Sequence, residues 1–186
     1  MPPVAVYDAC VLFPATLRDF LLRLAAAELV QPRWSTRILD ECFRSIAVKR
    51  PDLDPEALLR TRSKICLAFP DAMVADTGGV PVALALPDPD DLHVIATAVD
   101  AAATMIVTFN LRDFPESVLR PLGLSAVHPD DFVLGRIDEA PGTACAVVAQ
   151  QAGALKNPPI TPIALVARFR NQGLPRSAAR LADLLG

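Results

Sequence analysis

Lysine and histidine are scarce in this chain of 186 residues: Lys49, Lys64 and Lys156 are its lysines, and His93 and His128 its histidines. That scarcity excludes several chemistries. A phospho-accepting receiver domain wants a lysine after a late strand, and none of the three stands there. Ser/His/Asp hydrolysis finds no Gly-x-Ser-x-Gly and only two candidate bases. Walker A and dinucleotide fingerprints are missing, and a phosphotransferase Asp-x-Asp fails because Asp8 is followed by Ala9 and Cys10. The four cysteines (Cys10, Cys42, Cys66, Cys145) are spaced by 32, 24 and 79 residues, which forms no zinc-type pairing and predicts reduced core thiols of a cytoplasmic protein. Charge or proline breaks every apolar run before the ~18 residues of a membrane span, so no membrane association is expected. The start, Met1-Pro-Pro-Val-Ala-Val-Tyr-Asp8, lacks the basic region of a secretory signal and reads as a first strand.

What is present is apolar and acidic. With 52% hydrophobic residues, the chain is long enough to bury a sizeable core. Net charge is −3, unevenly spread: residues 1–64 carry 10 Lys/Arg against 8 Asp/Glu, residues 65–131 carry 2 against 10, and residues 132–186 carry 6 against 3. A polyanion could meet basic flanks around such an acidic centre if a cation neutralised it; the bland alternative is a solvated acidic face.

The pattern alternates strands and helices. Val4–Tyr7 reads as a buried strand ending on Asp8. Helices follow at Thr16 to Val30, from an N-cap at Ser35 with apolar Ile38, Leu39, Cys42, Phe43 and Ile46, and from Asp54-Pro55-Glu56 to Ala68. β-like pieces at Ala72 to Ala75 and Val80 to Leu86 flank a Gly-Gly turn. Asp90 or Asp91 then opens a helix through Ala102. Met105 to Thr108 is the next strand, followed by the Asn110 to Asp113 loop, a short helix, a strand Leu124 to Val127 and a helix from His128. This predicts an α/β fold, a central parallel sheet of about four to five strands flanked by helices. Three more helices, Gly142 to Lys156, Thr161 to Gln172 and Pro175 to Leu185, are expected to form an extension. The expected units are residues 1–135 and 136–186.

Carboxylates gather at the element ends where α/β sheets bind ligands: Asp8; Asp40 or Glu41; Asp88, Asp90 or Asp91; and Thr108, Asn110 or Asp113. Two carboxylates about 5 Å apart repel by roughly 3 kcal/mol at an effective dielectric near 20. A converging set therefore calls for a cation, and hard oxygen ligands suit Mg²⁺ or Mn²⁺. Such a metal suits phosphodiester hydrolysis. Arg18, Arg37, Arg44 and Arg112 are candidate phosphate grips, with Arg112 preferred because it borders the proposed site. Trp34 is expected in the core or an interface. His93, some 200° around a helix from Asp91, is expected to face away.

Four segments in order, Tyr7-Asp8-Ala-Cys-Val-Leu, Leu39-Asp-Glu41, Asp88-Pro-Asp-Asp91-Leu-His-Val-Ile-Ala-Thr-Ala and Val107-Thr-Phe-Asn110-Leu-Arg-Asp113-Phe, resemble the PIN domain of VapC-type toxins over about residues 3–133. The tail, through Lys156-Asn-Pro-Pro-Ile-Thr161 and Gln172-Gly-Leu-Pro175, resembles the helical extension of one subgroup. The resemblance implies a Mg²⁺/Mn²⁺-dependent endoribonuclease with Asp8, Glu41, Asp91 and Asp113 as catalytic metal ligands. Thr108 and Asn110 match as supporting polar groups; from their places in the chain, Asp88 and Asp90 are expected to support the site by shaping the turn before Asp91, and Arg112 to bind substrate. The resemblance also implies an RNA substrate and a cognate antitoxin protein; a homodimer is left open. The competing readings are a PIN-like module that binds a partner without catalysis, and a DNA-directed flap or repair nuclease.

Overall fold

The computed structural model describes residues 1–75 and 86–186. Among these, five short strands form one all-parallel sheet in the order β3-β2-β1-β4-β5. They are β1 (Val4–Tyr7), β2 (Gln31–Ser35), β3 (Met73–Val74), β4 (Met105–Val107) and β5 (Ser125–Val127). The expected parallel α/β sheet with C-terminal helices is therefore what the chain forms. The register sets Tyr7 beside Val107 and Val107 beside Val127, so the residues that follow these strands share one edge. Strand order reverses between β1 and β4, the place where open parallel sheets leave a ligand crevice at their carboxyl ends.

Helices cover both faces. After α1 (Ala9–Leu12), α2 (Ala15–Ala26) buries Leu17, Phe20, Leu21 and Leu24. Ser35 caps α3 (Thr36–Lys49) by accepting from the Ile38 N–H, and the five apolar residues expected on its inner stripe are buried. Asp54 caps α4 (Pro55–Ala68) through the Glu56 N–H. A 3-10 turn, Pro89–Asp91, precedes α5 (Leu92–Asp100), and another, Leu111–Asp113, precedes α6 (Glu116–Leu119).

Two elements depart from the pattern reading. The second helix stops at Ala26, where Glu28 turns the chain at φ 60°, and Gln31–Ser35 is a strand. No alternation marks Gln-Pro-Arg-Trp-Ser as one, since it is paired on both sides by β1 and β3 and the sheet imposes extension on a polar stretch. Trp34 is fully buried there, edge-on to Phe69 at 6.1 Å. The expected piece Val80 to Leu86, apart from Leu86 itself, lies outside the described residues.

The tail comprises α7 (Pro129–Glu139), α8 (Pro141–Ala154), α9 (Pro162–Asn171) and α10 (Pro175–Leu185). Its apolar residues belong to the same buried cluster as the sheet. Phe169 of α9 stacks on Phe20 of α2 at 4.5 Å, and Gln151 of α8 donates to the Thr16 carbonyl. The start of α10 is tied to α7 by Asp130, a buried carboxylate that accepts from the Arg176 N–H (3.0 Å) and the Ser177 N–H (2.8 Å). Charge-assisted bonds of this kind satisfy helix-start donors that would otherwise be buried unpaired.

Asp130→Ala is expected to destabilise the protein by about 3 kcal/mol, because two such bonds go at once, and to lower Tm by about 6–12 °C. Urea unfolding with an unchanged m-value checks this. A loss under about 0.5 kcal/mol, the range of an ordinary surface change, would contradict it.

Candidate active site

Asp8 follows β1 and starts α1, yet its side chain makes no cap bond to that helix. Instead Oδ2 accepts from Thr108 Oγ1 at 2.6 Å, across the pair of strands where the sheet order reverses. Cys10 Sγ donates to the same oxygen at 3.0 Å and lies 3.4 Å from Thr108 Oγ1. Phe109 N–H donates to Cys10 Sγ (3.3 Å), and Asn110 N–H to Thr108 Oγ1 (3.0 Å). Asp8 and Thr108 are buried. Burial first, then the Asp8 charge, push the Cys10 thiol up to about 12, so it stays protonated and donates.

Asp91 ends the 3-10 turn ahead of α5 and is half-buried. Its pKa is raised to about 6, chiefly by burial and then by the charges of Asp8, Asp113, Asp88 and Glu41. Asp8, Asp113, Asp88 and Glu41 are thus each within electrostatic reach of Asp91. Asp113, half-buried, ends its own 3-10 turn just past Asn110.

Helix α3 supplies the other wall. Arg62 holds Asp40 at 2.7 Å, whereas Glu41 faces the imidazole of His93, with Oε2 3.4 Å from Nε2. Asp40 is thus paired with an arginine, and Glu41 lies against an imidazole. Both line a cleft of about 800 Å³ with Arg37, Arg44, Asp91 and His93. Asp88 caps its 3-10 turn by accepting from the Asp90 N–H at 2.9 Å, and Asp90 is exposed beside Arg37. These two shape the turn that aims Asp91.

Two expectations need correction. His93 faces Glu41 and is buried, because Asp91 precedes the α-helix in a 3-10 turn and the 100° step does not apply between them. Arg18 is no phosphate grip: Nη1 donates to the Leu12 carbonyl at 2.6 Å, closing the end of α1. Arg112 is exposed on its 3-10 turn next to Asp113, and the cleft itself is lined by Arg37 and Arg44. Their spacing with Glu41, at i, i+4 and i+7, puts all three on one stripe of α3, a signal visible in the sequence.

Hard carboxylate oxygens around a raised aspartate fit a divalent ion in kind. Among the described residues, no three acidic, histidine or cysteine side chains are grouped closely enough to enclose one. No helix among the described residues is long and apolar enough to cross a membrane.

Comparison with known proteins gives three findings. Residues 4–112 match the model of a PIN domain, and residues 129–183 match that of the VapC50 C-terminal domain. The chain is 40% identical over 94 residues to a Mycobacterium tuberculosis (strain ATCC 25618 / H37Rv) protein named "Putative ribonuclease VapC50"; the match covers 50% of this chain and 55% of that protein. No solved structure matches.

An aspartate whose folded pKa lies above its ordinary value of about 3.9 stabilises the fold while protonated. That contribution is complete below about 3.9 and is lost as pH rises through about 6. Ionised Asp91 is therefore a net cost at neutral pH. In EDTA at pH 8, Asp91→Asn is expected to gain about 1 kcal/mol, discounted for partial exposure, and to gain nothing near pH 4. Calorimetric Tm at both pH values checks this, and no gain at pH 8 would refute it.

Proposed function

The chain belongs to the PIN-domain family, and from that premise we propose that it is a Mg²⁺- or Mn²⁺-dependent endoribonuclease. On this reading it hydrolyses RNA phosphodiester bonds and is the toxin partner of a cognate antitoxin protein in the cytoplasm. The observation that carries the reading is the pairing of Asp8 with Thr108 at the strand-order reversal, within electrostatic reach of an Asp91 whose pKa is raised by burial and then by the surrounding carboxylates. A ribonuclease name on the matched relative supports the same substrate class.

Asp8, Asp91, Asp113 and Glu41 would hold the ion, which when bound neutralises charge on a phosphoryl oxygen and makes water a better nucleophile. The rest falls to the chain's own groups. Thr108 and Cys10 fix one oxygen of Asp8, so its orientation is set before any substrate arrives. The Asp88 cap aims Asp91. Exposed Arg37 and Arg44, on either side of Glu41 along α3, would receive the phosphates flanking the cleaved one. Asn110 and Arg112 lie on the loop after Thr108, where Arg112 would add a further phosphate contact. The division into a nuclease unit of residues 1–135 and an extension of residues 136–186 belongs to this proposal; α7 continues through it.

Asp8→Asn should lower cleavage of single-stranded RNA at least about 100-fold, the scale on which loss of one charge-placing group acts, while circular dichroism is unchanged. DNA of the same sequence should stay intact. Undiminished cleavage by the folded variant would overturn the assignment. Expression of the wild type should arrest growth, and that of Asp91→Ala should not. In EDTA, where nothing is cleaved, Arg44→Ala should bind a fluorescent RNA 12-mer more weakly. The slope of its log affinity against log salt should fall by about 0.7; an unchanged slope would remove Arg44 from the RNA path.

A further inference from the structure

We propose that the C-terminal helices are a working part of the site, with Gly173 and Phe109 as positioning residues: the turn between α9 and α10 holds the loop that carries Thr108 and Asn110. The inference rests on reading Asp8 and Thr108 as the centre of the site.

The loop after β4 is bonded at three consecutive residues. Thr108 Oγ1 donates to Asp8, the Phe109 N–H to Cys10 Sγ, and the Asn110 N–H to Thr108 Oγ1. The Phe109 ring leaves this row on the side of the tail. It meets the His128 imidazole edge-to-face at 5.3 Å and lies over Gly173. A β-carbon added at Gly173 would stand 2.8 Å from Phe109 Cε1, closer than packed carbons approach, with Cζ at contact distance, 3.4 Å. Gly173 also has φ +86°, a conformation that costs other residues. Two independent constraints thus ask for glycine at one position.

The turn that presents Gly173 is itself fixed. The Gly173 N–H donates to the Arg170 carbonyl, and the N–H of buried Leu174 to that of Phe169. Asp130 takes the next two N–H groups, of Arg176 and Ser177, and its carbonyl accepts from Ser177 Oγ. The Asp130 N–H in turn donates to His128 Nδ1, on the imidazole against which the Phe109 ring packs. His128, Asp130 and the turn from Gly173 to Ser177 therefore form one joint closed on the ring. The positional control of Asp8 begins in the tail and passes through Phe109.

The test uses the full chain. Gly173→Ala is compared with Gly123→Ala, which carries the same backbone penalty (φ +70°) but has nothing within 4 Å of its added carbon. It is also compared with the double variant Gly173→Ala/Phe109→Leu, in which the two closest ring atoms are gone. Amide exchange at positions 109 and 110, measured by NMR in metal-free protein, should quicken about tenfold or more in Gly173→Ala. It should be unchanged in Gly123→Ala and return toward the wild-type rate in the double variant. For RNA cleavage, Gly173→Ala should lose about 10–100-fold in kcat, the usual cost of removing a positioning partner, with KM held and kcat partly restored in the double variant. Equal exchange in Gly173→Ala and Gly123→Ala, or an unchanged kcat, overturns the proposal. If Gly173→Ala does not fold, the double variant must; failure of the double variant beside a folded Gly123→Ala overturns it too. If the wild type cleaves no RNA while the exchange pattern appears, the ribonuclease reading falls and the positioning stands.

Discussion

One hydrogen bond organises the site, from Thr108 Oγ1 to Asp8 Oδ2 at 2.6 Å. It exists because β1 and β4 are parallel neighbours in register, Tyr7 beside Val107, so the first residue after each strand stands next to the other. A buried carboxylate is tolerated only when donors replace the water it has lost. Thr108 and the Cys10 thiol do so on Oδ2, and no donor among the described residues reaches Oδ1. The asymmetry gives the carboxylate one oxygen engaged with the fold and one not. Sheet topology decides this, since any other neighbour for β1 would put a different residue opposite Asp8.

Electrostatic load in the site is unequally shared. Cys10 remains a thiol because burial and the Asp8 charge oppose its ionisation, and as a thiol it donates to the very group that keeps it protonated. Asp91 has no comparable donor among the described residues, and its pKa rises to about 6 under burial and the surrounding carboxylates. Asp40 is relieved by Arg62, and Asp90 has turned out to solvent beside Arg37. The acids of this region thus sort by what they are paired with: arginine for Asp40, hydrogen-bond donors for Asp8, and for Asp91 neither among the described residues. That sorting, and not the count of acids, separates candidate ligands from ordinary surface residues.

Much of this was legible along the chain, because local rules govern it. Ser35 and Asp54 cap helices as their sequence contexts predict, and the inner stripe of α3 follows its 3.6-residue period. The placement of Asp8 at the end of a buried strand needs only four apolar residues before a charge. The unread parts are those set by distant partners. Gln31–Ser35 is extended because two strands flank it, against its own composition. His93 turned out to face Glu41 because a 3-10 turn shifts the phase of the following helix. One wall of the cleft is α3, where Arg37 and Arg44 share a stripe with Glu41. Spacing on that helix held the information; only the fold says which stripe faces the acids.

The tail makes the same point at larger scale. Composition and proline breaks suggest an appended set of helices, and read alone they would suit a tethered module. The packing argues otherwise. Phe169 on Phe20 and Gln151 on the Thr16 carbonyl seat α8 and α9 on α2. The ion pairs of α10 with α7, Arg176 to Asp131 and Arg180 to Asp138, are exposed and contribute little in water. What holds α10 is the buried Asp130 and the apolar residues around it, interactions that lose strength only if the whole joint opens. Helices docked through a shared core move with that core, and a loop packed against them inherits their rigidity. In this chain that loop carries Thr108, so the strength of the tail's attachment and the aim of Asp8 are properties of one packed unit.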